Sequence, residues 1–447
     1  MQHRNTPLYA RLGTMMLLEF LVFGSWYPTV GLVLSKHGFG DLIGLVFVFS
    51  SVAAVLSPMF VGALADRFFS AHKVFGTLHL AGAAVLVFIP SAVTSGNDGL
   101  FLVLLFVFTL FFQPTQAMPN NIAFVHLQDK PEVFPYIRAL GTGAWIVAGL
   151  VVGQLGLSAS PVIFYLAAGW SVLLGVYAFT LPATPPQQRG AMFRIGDFVG
   201  SGAFALFRRP KFVLVMGCML LISVPISIYN AYGSTYLSAA GVDDVASVMS
   251  LGQAFELLFI LVLPVLLRTV GYRGVLTTGL VAWTVRCALF LAMDGGPHWL
   301  AYVVVGMHGA CNDFFMITAC MFVDRLVTPA LKAQAQALVF FLSIGVGQGL
   351  GALLADALYS HAVAGRTTPT LGDWNTLWLL AAAVSLVTLV LFAVLFRKER
   401  SGGDVPPPLG PSGTLDASPG DTSEVTSVPA GDTLPPTAEA TTATAAT

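Results

Sequence analysis

The sequence predicts an all-α membrane protein of twelve spanning helices, arranged as two six-helix halves around a central cavity. Three observations predict it. Hydrophobic residues make up 56% of the chain and charged residues 10%, with a mean hydropathy of +0.80, whereas a soluble domain carries about 25% charge. Twelve separate runs reach the roughly 20 mostly apolar residues that a bilayer crossing needs. The longest hydrophilic connection between runs, Pro182 to Pro210, falls after the sixth.

In chain order the spans are expected at about 8–34, 41–65, 73–93, 98–124, 134–157, 161–182, 211–237, 243–269, 273–293, 297–323, 331–360 and 373–396. The first carries Glu19 and then a break at Gly24-Ser-Trp-Tyr-Pro28, so it reads as a retained span rather than a cleaved leader. A bend there suits a cavity, because freed backbone groups inside a membrane are tolerated only where protein or water satisfies them. The spans divide the chain into a first half (1–182), a linker (183–210), a second half (211–400) and a tail (401–447). The tail has no aromatic residue and no Lys or Arg. Such a segment cannot bury enough apolar surface to offset its ordering entropy, and disorder is expected.

Orientation follows from the 21 Lys and Arg residues. Lys36 and Arg366 fall on one side, Arg138 and Arg286 lie within spans, and all the others fall on the opposite side. Positive charge collects on the cytoplasmic face, so both termini and the linker are expected there, in a multi-pass protein of the cytoplasmic membrane. A monomer in the lipid bilayer is expected. Net charge is −1, and no basic aromatic patch suggests nucleic acid. The four cysteines sit in apolar runs without metal-ligand spacing. Neither a metal nor a cofactor is expected. No Ser-Lys pair, His-Glu zinc motif or paired catalytic aspartate points to an enzyme.

Charges inside the spans carry the functional signal. Asp at a helix centre costs ~3 kcal/mol even on permissive insertion scales, and Asp313 stands midway along Met307 to Arg325. Glu256 follows Gln253 at i+3 in Leu251-Gly-Gln-Ala-Phe-Glu256, so both can face one cavity. Nothing in that stretch neutralises Glu256, which must be protonated or paired across helices, Arg286 being one available partner. Arg138, Thr142 and Trp145 share a face near the start of the fifth span. A guanidinium, a hydroxyl and an indole along one stripe suit a flat polar solute with a ring and hydroxyls, although an arginine near a span end can also snorkel to the surface. Asn230 and Asn312 add hydrogen-bonding groups, for which helix packing is an equal reading. His79, His126, His298 and His361 fall near span ends or loops and receive no role; His308 precedes Asp313 by about a turn and a half.

Two sets of motifs carry a resemblance. Gly62-Ala-Leu-Ala-Asp-Arg67, followed by Lys73, resembles the Gly-x-x-x-Asp-Arg loop signature of the major facilitator superfamily, which implies that Asp66 and Arg67 hold one gate conformation. Leu267-Arg-Thr-Val-Gly-Tyr-Arg273 is a weak echo in the second half, as parallel repeats would give. Gly24-Ser-Trp26, Arg138-Ala-Leu-Gly-Thr142, Gly252-Gln-Ala-Phe-Glu256, His308-Gly-Ala-Cys-Asn-Asp-Phe-Phe315 and Phe322-Val-Asp324 together resemble the nucleoside:H+ symporter family of that superfamily, from the first span through the twelfth.

The resemblance implies the major facilitator fold and proton-coupled nucleoside uptake by alternating access, with nucleoside and H+ as the transported partners. It places substrate contacts on Arg138, Thr142, Trp145, Asn230, Gln253, Glu256 and Asp313, with Asn312 beside them. Proton coupling falls to Asp313 and Glu256, with Glu19 added because the better-studied members carry an uncharged residue there. Ser227 stands where those members have a second amide. Export of a sugar or drug-like solute, a facilitator of such solutes, and a non-transporting receptor or scaffold are the alternatives, the last disfavoured by the charges within the helices.

Overall fold

A computed structural model describes residues 6–67, 69–185, 201–364, 366 and 369–396; side chains at 58–60, 62–67 and 131 lie outside the described set. Every extended element among the described residues is helical. The chain begins with α1 (Thr6–Trp26) and α2 (Val30–Lys36), which are the two pieces of one span broken at Tyr27–Thr29. Then come α3 (Ile43–Arg67), α4 (Ala71–Leu86), α5 (Ile89–Thr94), α6 (Asp98–Phe112), α7 (Met118–His126), α8 (Phe134–Gln154) and α9 (Val162–Ala178). After a short helical turn at Ser201–Arg208 follow α10 (Pro210–Ala239) and α11 (Val245–Ala292). The last set is α12 (Leu300–Gly306), α13 (His308–Cys311), α14 (Thr318–Asp324), α15 (Lys332–Phe340), α16 (Gly349–Tyr359) and α17 (Asn375–Leu395).

Ten of the helical stretches are long and apolar enough to cross a membrane, and α9 is a shorter apolar helix. The difference from the expected twelve lies largely in α11. Its 48 residues would reach about 72 Å at 1.5 Å per residue, more than twice a hydrocarbon core. The helix is interrupted at Gly271, with φ 67° and ψ 178°, between the expected limits 243–269 and 273–293. That backbone conformation is essentially restricted to glycine, so a single residue divides α11 into two helices where the sequence suggested a loop. Asp244 caps the start of α11 by accepting from the Ser247 N–H at 3.2 Å, which satisfies one of the donors a helix start leaves free.

Apolar side chains point both ways. Leu261, Val265, Leu350, Leu379 and Val394 are more than half exposed, a surface that water would not tolerate but lipid does. Between helices the packing rests on close fit, since lipid offers no hydrophobic drive for association. Gly31 illustrates it: a Cβ there would lie 2.2 Å from the Ala231 carbonyl oxygen, so α2 and α10 meet backbone to backbone. Aromatic stacking adds to this, with Phe290 and Trp378 parallel at 3.9 Å.

The linker from 186 to 200 and the tail from 401 lie outside the described residues, as do the side chains of Asp66 and Arg67, the last two residues of α3.

Substitution of Gly271 by Ala forces an L residue into a glycine conformation at a cost of about 1–3 kcal/mol. The melting temperature of the purified protein should fall. Gly217→Ala, where the added Cβ meets nothing within 4 Å, should leave it unchanged or slightly raised. Equal melting temperatures for the two variants would show that α11 is not broken at Gly271.

Candidate functional site

Glu256 is the centre of a polar cluster built from α11, α13 and the turn that follows α13. Gln253, one turn earlier on α11, donates from Nε2 to Glu256 Oε2 at 3.2 Å. Asn312 Nδ2 donates to Oε1 at 3.3 Å. His308 Nε2 lies 3.4 Å from Oε2. His308 and Asn312 are spaced i, i+4 and so project from the same side of their helix toward one carboxylate. All four side chains are partly exposed rather than sealed in the core.

Behind His308 stands Arg286, fully buried. Its Nε donates to the Val304 carbonyl at 2.6 Å and its Nη1 approaches His308 Nδ1 at 3.4 Å. A guanidinium has only donors, so His308 Nδ1 must be the acceptor. The remaining proton of a neutral imidazole is then on Nε2, where it points at Glu256. The Arg286 guanidinium also lies over the Tyr229 ring at 3.9 Å. The expectation that Arg286 might pair with Glu256 is therefore met only through an intermediary.

Arg138 is carried on α8, which packs along α11, the helix of Glu256, and the two opposite charges interact electrostatically. Arg138 does not simply reach for the surface: its guanidinium sits 4.4 Å over the Phe20 ring of α1. Trp145, two turns on along α8, meets Phe23 edge-on at 4.7 Å. The stripe Arg138–Thr142–Trp145 thus runs along the Phe20–Phe23 edge of α1, and Thr142 and Trp145 keep part of their surface open. The stripe presents a cationic group, a hydroxyl and an indole on a helix that packs against the one bearing the amide-ringed carboxylate.

Asp313 behaves differently from its neighbour Asn312. The helix widens to a π-turn over Asn312–Ile317, a distortion frequent at functional sites. The widened turn sends Asn312 to Glu256 and leaves Asp313 fully buried, with neither carboxyl oxygen hydrogen-bonded among the described residues. Thr318 Oγ1 donates to the Asp313 carbonyl at 2.9 Å, occupying a backbone acceptor that the wide turn displaces. Asp313 still interacts electrostatically with Glu256.

Asn230, on α10, is half-buried and takes no part in the Glu256 hydrogen bonds. Glu19 is also apart from this cluster, in a buried contact with His79 at 2.7 Å. His79 sits in the middle of α4 rather than near a span end, which corrects the reading of that residue. Ser227 donates to the Gln348 carbonyl at 3.0 Å and is buried, so its hydroxyl is already engaged in helix packing. The residues that sequence reasoning undervalued are His308, Arg286 and His79. The one available signal was the i, i+4 spacing of His308 and Asn312.

Comparison with known proteins follows the same lines. Residues 7–401 match the family described as Nucleoside H+ symporter. YegT of Escherichia coli (strain K12) is 33% identical over 407 residues, spanning 87% of this chain and 94% of that protein. Nucleoside permease NupG of the same organism is 31% identical over 411 residues, or 88% of this chain and 97% of the permease. The crystal structure of a single-substitution variant of nucleoside transporter NupG superposes with a TM-score of 0.79 at 29% identity, covering 87% of this chain and 100% of that one.

Replacing Arg286 by Met would remove the donor to the buried Val304 carbonyl and to His308 Nδ1, a loss of about 1–3 kcal/mol. A clear drop in melting temperature is expected, against little change for Thr278→Ala on the exposed surface. An Arg286→Met protein as stable as the parent would remove Arg286 from the support of this site.

Proposed function

The chain belongs to the nucleoside H+ symporter family, and from that membership we propose that it takes up a nucleoside together with protons through the Glu256 site. The observation that carries the assignment is the packing of α8, with its Arg138–Thr142–Trp145 stripe, against α11, where Gln253 and Asn312 hydrogen-bond Glu256. A nucleoside presents a flat base and a hydroxyl-bearing sugar, and this site offers a surface of each kind. Glu256, with Gln253 and Asn312 oriented around it, accepts hydrogen bonds from ribose hydroxyls. Trp145 stacks on the base, Thr142 and Arg138 hydrogen-bond its polar edge, and Asn230 adds an amide from α10. Ser227 is committed to Gln348, which leaves the base edge with fewer amide contacts.

Asp313 is proposed as the proton carrier. A carboxylate with no partner and no solvent is costly as an anion and far less so once protonated. Its interaction with Glu256 makes the two carboxylates interdependent: a proton on one relieves repulsion at the other. Substrate and proton then bias the same conformational equilibrium, which is the requirement for coupling.

The proposed architecture has twelve spans, counting the two arms of α11 on either side of Gly271 and α9 as separate crossings. They form halves 1–182 and 211–400, joined by the 183–210 linker, with both termini and the 401–447 tail on the cytoplasmic side and the protein acting as a monomer in the bilayer. Contacts such as Gly31 with Ala231, and Gly44 N–H with Asp356 Oδ1 at 3.2 Å, close the halves together at one end. Rocking about the central site exposes it alternately to the two faces, with Asp66 and Arg67 as the gate residues at the linker end.

Cells expressing the protein should accumulate radiolabelled uridine or adenosine, and a protonophore should collapse the accumulation. Glu256→Gln and Asp313→Asn should each reduce concentrative uptake at least tenfold while the protein still inserts. Near-normal accumulation by both variants would overturn the carboxylate assignment; no uptake of either nucleoside by well-inserted parent protein would overturn the substrate.

A further inference from the structure

A second ionisable cluster lies in the first half, buried more deeply than the nucleoside site. Glu19 on α1 and His79 on α4 are each at most 2% exposed, and Glu19 Oε2 lies 2.7 Å from His79 Nε2. Thr115 Oγ1 and Gln116 Nε2 donate to Glu19 Oε1 at 3.0 and 3.2 Å. Both come from the irregular stretch between α6 and α7, which contains Pro114 and precedes Pro119. On the far side of the imidazole, His79 Nδ1 lies 3.0 Å from Ser171 Oγ of α9, and Ser171 Oγ also lies 3.0 Å from the His79 carbonyl oxygen.

Proton counting constrains this cluster. Ser171 has one hydroxyl proton, and the His79 carbonyl can only accept it. Ser171 Oγ must therefore accept from His79 Nδ1–H. Where Thr115 Oγ1 and Gln116 Nε2 both donate to Glu19 Oε1, the Nε2–Oε2 contact holds one proton. It resides on Glu19 with a neutral imidazole, or on His79 with a carboxylate; the pair carries zero net charge in either form. Adding a second proton sets an N–H against an O–H. Removing the shared one sets a lone pair against a carboxylate. Either change breaks the contact between α1 and α4.

Other ionisable groups do not substitute for this shared proton. On α8 the charged residue is Arg138, separated from Glu19 by the Phe20 ring over which it lies. α9 offers Ser171 and, farther along, Tyr177, whose hydroxyl donates to the Arg11 carbonyl. His72 and His126 are both tied to Thr184 at the end of α4 that adjoins Ser70. α6 carries only Asp98, in its first turn at the opposite end.

We propose that Glu19 and His79 form a second proton-binding site of the transport cycle, whose loading state sets the position of α1 and through it the aromatic wall of the nucleoside site. The link is short. Phe20 follows Glu19 and lies under the Arg138 guanidinium, and Phe23, one turn on, packs against Trp145. Gln116 is the member of the cluster with partial exposure, so the proton enters and leaves along its side when the break between α6 and α7 flexes. The proposal rests on the nucleoside-symport reading and adds a proton site separate from Asp313 and Glu256.

The test uses full-length protein in proteoliposomes, measuring protons moved per nucleoside from the reversal potential, alongside nucleoside counterflow, which needs no net proton movement. Glu19→Gln keeps the shape and lets an amide N–H donate to His79 Nε2, fixing the protonated-carboxyl form; His79→Gln is the companion change. Counterflow should persist while the proton-to-nucleoside ratio falls by one in either variant and the pH profile of uptake flattens. An unchanged ratio and pH profile would make the pair a structural clip and overturn the proposal, as would loss of counterflow in folded variant protein. The parent protein separates the two readings: if its own uptake is insensitive to the proton gradient, the symport reading fails, whereas parent coupling with unaltered variants fails only the second site.

Discussion

A carboxylate removed from water needs partners or a proton, and the interior of this protein is arranged around that constraint. Three of the acidic side chains inside the helical bundle are in three different conditions. Glu256 is held by two amides and an imidazole and remains partly open. Glu19 is sealed against His79, Thr115 and Gln116. Asp313 is sealed and unmatched among the described residues. An accessible, hydrogen-bonded carboxylate suits a binding group, and a sealed carboxylate is costly as an anion and far less so once protonated.

The same constraint explains the departures from regular helix. The first span breaks at Tyr27–Thr29, the fourth between Phe112 and Met118, and the tenth widens at Asn312–Ile317. Backbone groups freed within a bilayer must be satisfied by the protein or lie along a wet cavity, and the second and third of these breaks adjoin the Glu19 and Glu256 clusters. Thr115 illustrates the economy of the arrangement: its hydroxyl contacts both the Phe112 carbonyl at 2.7 Å and Glu19 at 3.0 Å. One side chain serves a displaced acceptor and a buried carboxylate together.

The helices were legible in the sequence because their signal is hydropathy summed over about 20 residues, and the limits agree to within a few positions at most ends. The membrane-embedded charges were legible for the same reason, since each stands out against an apolar background. The pairings were not. Whether Glu256 meets Arg286 directly or through His308 depends on the rotation of three helices about their axes, and the sequence records only the order of residues along each. The π-turn was equally invisible. A regular helix would place Asn312 and Asp313 about 100° apart whatever their partners, and only the structure gives Asn312 to Glu256 while leaving Asp313 without a hydrogen bond.

His79 shows how a misreading of depth becomes a misreading of chemistry. Read from the hydropathy limits, it lies six residues into a span and resembles an interfacial histidine; in the structure α4 starts earlier, at Ala71, and His79 falls at mid-helix against Glu19. A histidine at an interface has water for both nitrogens and constrains nothing. Once buried between a carboxylate and a hydroxyl, its two nitrogens have fixed partners, and the single hydroxyl of Ser171 makes Nδ1 the donor. Because α1 carries Glu19 on one side and the Phe20–Phe23 edge on the other, the protonation of a group that never touches substrate can reach the surface that does. That geometry lets a proton site influence nucleoside binding without competing for the same carboxylate.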